Sequence, residues 1–201
     1  MVLKLFGSPV STCTRRVAVV LIEKKAPFEL GAVDVAKGEH KSSAFLANQP
    51  LGQNDDGFFV YESRAICRYI EDKYPNQGTK LAPSDVQGKA LFEQAASVEY
   101  SNFDPFYSKA VAEMLFKLYM VQTPEKPGFD TLVIGLSAKL DAYEEVTLAD
   151  LFHLPYGSML AMAGSDLLTT KGPNVARWFN DISARASWVA TKDEVKRISS
   201  Y

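Results

Sequence analysis

The chain has 201 residues and a mass of 22.2 kDa, enough for one large domain or two modest ones. Hydrophobic residues make up 47% and charged residues 23%, which excludes a disordered chain. The 22 basic residues against 24 acidic ones give a net charge of -2, and without a basic surface nucleic acid is excluded as a partner.

The longest apolar run, Val17–Ile22, is far short of the roughly 20 residues a membrane-spanning helix needs. Met1–Phe6 reads as a strand and not as a secretory leader. Two cysteines, Cys13 and Cys67, fit a reducing compartment, and two histidines, His40 and His153, give a zinc site almost no material. The expectation is a soluble cytoplasmic protein with no metal and no membrane partner.

In chain order, Val2–Phe6 is a short strand closed by the turn residues Gly7-Ser8-Pro9. Ser11 or Thr12 then caps a helix in which Val17, Val20, Leu21 and Lys24 share a face, and Pro27 stops it. Phe28–Val35 is a second strand, interrupted at Gly31. A polar loop through Lys37-Gly38-Glu39-His40-Lys41 follows, then a short helical segment ending near Pro50 and a strand at Phe58–Tyr61. Ser63 opens a helix with Ile66, Ile70 and Tyr74 on one face, ended by Pro75-Asn76-Gln77-Gly78. From Pro83 onward no strand signal recurs, and Asp85–Tyr119, Phe129–Glu145, Thr147–Ala163 and Pro173–Arg185 read as helices. The fold class is α/β plus all-α: an α/β domain over 1–76, a linker over 77–84 and an all-helical domain over 85–201.

Two stretches place chemistry at helix starts. In Ser8-Pro9-Val10-Ser11-Thr12-Cys13 a strand gives way to a helix with hydroxyls at its mouth. The unsatisfied N–H groups and partial positive charge there suit an anion. A hydroxyl donating to a thiolate, a bond worth roughly 1.5–3 kcal/mol, lowers a thiol pKa by about one to two units. Ser11 as a plain helix cap is the competing reading. At Tyr61-Glu62-Ser63-Arg64, Ser63 caps the helix, its N–H and that of Arg64 suit a carboxylate, and Glu62 suits an ammonium group, so an amino-acid end fits. An ordinary capped helix with a surface acid accounts for the same residues. His40 and Lys41 read as solvated loop positions, and His153 and Cys67 as core.

Ser11 in its Ser-Thr-Cys-Thr-Arg-Arg-Val setting, Gly38-Glu39-His40-Lys41, Gly52-Gln53 and Glu62-Ser63-Arg64-Ala65-Ile66-Cys67 resemble the cytosolic glutathione transferases, the phi class above all. Asn102-Phe103-Asp104-Pro105 and Thr147-Leu148-Ala149-Asp150-Leu151 extend the resemblance over essentially the whole chain. It implies a thioredoxin-like N-terminal domain that binds glutathione, and a helical domain offering an apolar pocket to hydrophobic electrophiles. Carried over by position, Ser11 would hold the glutathione sulfur as thiolate. Glu62 and Ser63 would take the γ-glutamyl end, His40 and Lys41 the glycyl carboxylate, and Gln53 would lie beside the tripeptide backbone. Phe116, Tyr119 and Met120 would meet the second substrate, although at their spacing they also read as core. Glutathione would be a co-substrate, no cofactor would be needed, and the assembly would be a homodimer.

Three places depart from the family pattern. After Gln53 the chain is about four residues short and lacks the family's cis-proline. The loop before Thr147 is short as well, and Gly31-Ala32 stands where bulkier residues are expected. The two short stretches are either true deletions or mobile segments absent from the recorded sequence, the latter favoured; an intact mass above 22.2 kDa decides between them. Two rival functions remain: a non-catalytic ligand-binding relative, and a glutathione-dependent thiol transferase using Cys13.

Overall fold

The computed structural model describes residues 2–43, 58–140 and 147–200. Gln53, the Asp55-Asp56-Gly57 turn and both short stretches fall outside the described residues. The chain divides into two compact units, one of residues 1–81 with 186–201, the other of residues 82–185.

The first unit is built on two strands, β1 (Leu3–Gly7) and β2 (Phe28–Ala32), with helix α1 (Thr12–Glu23) between them in sequence. The strands pair in parallel, Leu3 opposite Phe28 and Gly7 opposite Ala32. Parallel pairing needs a crossover, and α1 supplies it. Nearly every side chain of α1 is buried, the apolar run Val17–Leu21 together with the polar Thr12, Thr14, Arg15, Arg16 and Glu23. Leu5, Val19, Val20, Leu21 and Phe28 form the centre of the core with Ile66, Cys67 and Ile70 of helix α2 (Ser63–Lys73). Each such side chain contributes about 1.5–3 kcal/mol. The small residue at Gly31 has a steric reason: it is the register partner of Phe6, and a Cβ there would run into the Phe6 ring.

Three expectations for this unit are corrected. Phe58–Tyr61 is no strand; Phe59 alone makes a bridge, and Phe58 and Tyr61 are exposed. The second strand ends at Ala32, and the polar loop ends in a short 3-10 turn, Glu39–Lys41. The last residues pack with the first unit and not with the helical domain. Phe28 N donates to Ile198 O (2.8 Å) and Ile198 N to Phe28 O (3.0 Å), while Val195 N donates to Pro9 O (3.0 Å).

Part of the expected linker is also clamped to this unit. The fully buried Lys24 ammonium pairs with Glu71 (3.0 Å) and donates to Thr79 O (3.1 Å); Glu71 Oε1 accepts from Leu81 N (3.1 Å). Gly78 takes φ 63 there, and a Cβ would strike the Glu23 carbonyl, so only glycine fits.

The second unit is helical: α3 (Val86–Val98), α4 (Asp104–Val111), α5 (Lys126–Ser137), α6 (Leu148–Met162) and α7 (Pro173–Ser183). The single long helix expected over 85–119 is there, broken by π turns at Glu99–Phe103 and Ala112–Phe116. Such turns hold one extra residue and reset which side chains face inward; Glu99 and Phe103 turn in, buried. Thr147 and Asp150 form the capping box that starts α6. Asp150, 1% exposed, also accepts from Trp178 Nε1 (2.8 Å), tying α7 to that helix start. His153 is core, as expected: its Nδ1 lies 3.0 Å from Ala149 O, and its ring meets Phe103 and Trp178 edge to face at 5.1 Å each. Among the described residues no helix is long and apolar enough to cross a membrane.

Candidate active site

Ser11 is the N-cap of α1, in extended backbone geometry (φ -67, ψ 140). Its N–H donates to Ser8 O (3.0 Å), its carbonyl accepts from Arg15 N (3.0 Å), and its Oγ accepts from Thr14 N at 3.4 Å. The hydroxyl is half-buried and its proton is given to no acceptor among the described residues. Capping and thiolate binding are therefore compatible, because the cap uses the oxygen and leaves the O–H free to donate. The mouth of the helix is held from both sides. Val195 N fixes the Pro9 carbonyl two residues before Ser11. Arg15 donates to Lys192 O (2.7 Å), its guanidinium over the Trp188 ring.

The second helix start differs from the expectation. Ser63 is the first residue of α2, not its cap; Glu62 holds the cap position, with φ 68 and no side-chain capping bond. A positive φ at a non-glycine residue stores of order 1–3 kcal/mol of strain. It leaves the Glu62 side chain exposed and the backbone N–H groups of the first turn directed out of the helix end. Ser63 itself is buried, and its Oγ accepts from Arg16 Nη1 at 2.8 Å. The same guanidinium nitrogen lies 4.0 Å from Cys13 Sγ. Leu5, Phe6, Cys13, Thr14, Val17, Ser63 and Ile66 line a small recess between the two helix starts. The structure thus brings Cys13 in the first turn of α1 and Ser63 at the start of α2 to one place, through Arg16.

Sequence reasoning quoted Arg16 within a motif but gave it no role. The usable signal was a charge directly before the apolar run Val17–Ile22, where an unpaired cation is too costly to bury. The two thiols differ. Cys13 is half-buried, whereas burial pushes the Cys67 thiol up to about 12, outweighing the cations of Arg16, Arg64 and Arg68. Cys67 is chemically inert, in keeping with the core reading.

His40 and Lys41 sit on the 3-10 turn at the end of a loop that holds itself together. Glu39 Oε2 accepts from Asp34 N (2.7 Å), and Asp34 Oδ1 accepts from Lys37 N (3.0 Å). The Lys37 N–H, with the Lys37 ammonium at 3.1 Å, holds the Asp34 carboxyl below its ordinary value. Lys41 is exposed; His40 is half-buried, and its Nδ1 is shut from solvent with no hydrogen-bond partner among the described residues.

In the second unit, Phe116 is half-buried at the end of a π turn, while Tyr119 is 77% and Met120 67% exposed. The alternative that these residues are plain core is ruled out for the last two. Leu118 and Val121 are exposed beside them, so the helix ends in a bare apolar run. Glu113 braces it, accepting from Lys117 Nζ (2.6 Å) and from Glu125 N (2.7 Å). Among the described residues, no three His, Cys, Asp or Glu side chains converge as metal ligands would.

A family model described as the glutathione S-transferase N-terminal domain matches residues 1–72. Glutathione S-transferase hmp2 of Hypomyces subiculosus is 38% identical, with 98% of this chain and 100% of that protein covered. Glutathione S-transferase PM239X14 of Arabidopsis thaliana is 41% identical over 88% of this chain and 89% of its own length. Among solved structures, glutathione transferase F7 from Populus trichocarpa superposes with a TM-score of 0.87 at 33% identity, covering 94% of this chain and 96% of that one. Glutathione transferase F2 from the same plant gives 0.85 at 35% identity, covering 93% and 95%. These matches give the N-terminal unit its fold, thioredoxin-like, followed by a helical domain. With that sequence identity along nearly its whole length, the chain belongs to the glutathione S-transferase family.

Proposed function

We propose that this protein is a phi-class-like glutathione transferase in which Ser11 donates its hydroxyl proton to the glutathione sulfur and holds it as thiolate. The observation that carries the reading is the Ser11 cap: its oxygen takes the Thr14 N–H while its own proton is uncommitted among the described residues. The thiolate attacks an electrophilic carbon, a thioether bond forms, and the leaving group departs with the bonding pair. The thiol proton has already gone to solvent, and no cofactor enters the balance. Catalysis is stabilisation of the charged nucleophile together with its positioning.

Glu62 and the start of α2 with Ser63 take the γ-glutamyl end, a reading supported by the exposed Glu62 carboxylate and the outward N–H groups. His40 and Lys41 take the glycyl carboxylate; the exposed Lys41 ammonium supports this. Gln53 lies outside the described residues. The exposed apolar side chains at Phe116, Tyr119 and Met120 support a role in receiving hydrophobic electrophiles, and the helical domain from residue 85 carries that pocket. We assign the protein to the cytoplasm, as a detoxifying homodimer. Exposed Phe58, Phe59 and Tyr61 are apolar surface that a second copy would cover.

The test is the initial rate of glutathione conjugation to 1-chloro-2,4-dinitrobenzene. Ser11→Ala is expected to lower it about tenfold or more, over ~1.4 kcal/mol of transition-state stabilisation. An unchanged rate removes Ser11 from its role. One second reading has an observation in its favour, the Arg16 guanidinium 4.0 Å from Cys13 Sγ. A Cys13 thiol transferase would lose disulfide-reducing activity in Cys13→Ser and keep it in Ser11→Ala.

A further inference from the structure

We propose that Arg16 is a positioning residue that sets the specificity of the Ser63 end of the site for a carboxylate over its neutral amide. A guanidinium has donors and no acceptor. At the 2.8 Å contact between Arg16 Nη1 and Ser63 Oγ the serine oxygen must therefore accept, and its own proton is turned elsewhere. Arg16 is 1% exposed and Ser63 5%, so the bond is shielded from water and solvent does not compete for that oxygen. The serine becomes a fixed donor polarised by a full positive charge, which favours an anionic acceptor. A neutral amide in the same place can still accept through its carbonyl oxygen, but it carries no charge for the guanidinium-polarised donor to act on and so gains less from it.

The sequence shows why this side chain can do so. Arg16 lies one turn beyond Thr12 in a helix packed against α2, and Cys67 Sγ, one turn beyond Ser63, lies 3.8 Å from the Arg16 carbonyl. Backbone and side chain of one residue are both engaged with α2, so the guanidinium is set by packing and not by a flexible surface arm. Lysine would carry the charge but not the planar fork.

The assignment rests on the reading that this site takes the γ-glutamyl end of glutathione. The experiment measures KM and kcat for glutathione and for its analogue with the γ-glutamyl α-carboxyl amidated, in the wild type, Arg16→Lys, Arg16→Gln and Ser63→Ala. The wild type should prefer the carboxylate form. Arg16→Gln should cut that preference about tenfold, through KM for glutathione, with kcat at saturating glutathione within about twofold of the wild type. Arg16→Lys should restore part of it. A purely structural Arg16 would weaken both ligands alike and leave their ratio unchanged, and that result overturns the proposal. If neither Arg16 variant folds, Ser63→Ala decides: the preference must fall, and an unchanged ratio overturns the proposal. A wild type that binds both ligands equally removes instead the γ-glutamyl reading of the site.

Discussion

The start of α1 and the exposed end of the long helix, Phe116 to Met120, are built on opposite principles. Around Ser11 three neighbouring residues are pinned. Pro9 is held by Val195, Arg15 by Lys192 and Trp188, and Arg16 by Ser63. Around Met120 there is a π turn, a positive φ of 57 at Val121 and a run of apolar side chains with open faces. The first suits a ligand of fixed chemistry, whose carboxylates and thiol must meet fixed donors. The second suits ligands that share only an apolar surface, since non-directional burial needs area and not register. One enzyme can thus be strict toward one substrate and tolerant toward the other.

The largest expected effect probes the pinned side. Lys24→Met takes the buried ammonium away from the buried Glu71 carboxylate, and should lower the unfolding free energy by about 3–5 kcal/mol in urea titrations. A loss under 1 kcal/mol would mean that the clamp is not rigid. Next comes the buried polar contact of the helical unit. Trp178→Phe removes the indole N–H donor to Asp150 Oδ1 and should cost about 1–3 kcal/mol, with the α6 cap kept through Oδ2.

The pH dependence follows His153. Burial holds its imidazole below the ordinary value of 6.5 against the opposing pull of Glu99 and Asp150. The unfolded chain takes the proton near 6.5 and the native state does not. The stability from this group is therefore complete above that pH and falls as pH drops below it, by at most about 1.4 kcal/mol per unit. Urea midpoints at pH 7.5 and 5.5 should differ less in His153→Gln than in the wild type.

The smallest effect on stability is expected at the open side. Tyr119→Ala and Met120→Ala should each change stability by less than about 0.5 kcal/mol while raising KM for apolar electrophiles about threefold. A stability loss above 1 kcal/mol would mean these residues are covered in solution.

Local signals were legible in the sequence and long-range ones were not. The Ser11 cap, the Thr147–Asp150 box and the buried face through Lys24 each depend on residues a turn or so apart, and each stands where the pattern put it. Phe58–Tyr61 had the composition of a strand, but composition does not fix how much of a segment pairs, and only Phe59 makes a bridge. Glu62 in place of Ser63 as the cap depends on a strained φ that no side-chain preference favours. The turns Leu167–Thr170 and Ala186–Val189 are too short to show a period. The role of Arg16 needed a residue 47 positions away.

The return of residues 186–198 to the first unit has a consequence for synthesis. The strand pair and α1 are synthesised well before the groups that brace Pro9, Arg15 and Phe28. At translation rates of about 5–20 residues per second, the nascent N-terminal unit waits roughly 5–20 s for them. The unit that holds Ser11 is thus closed by residues more than a hundred positions further along the chain, and a chain stalled before Trp188 would leave Pro9, Arg15 and Phe28 unbraced.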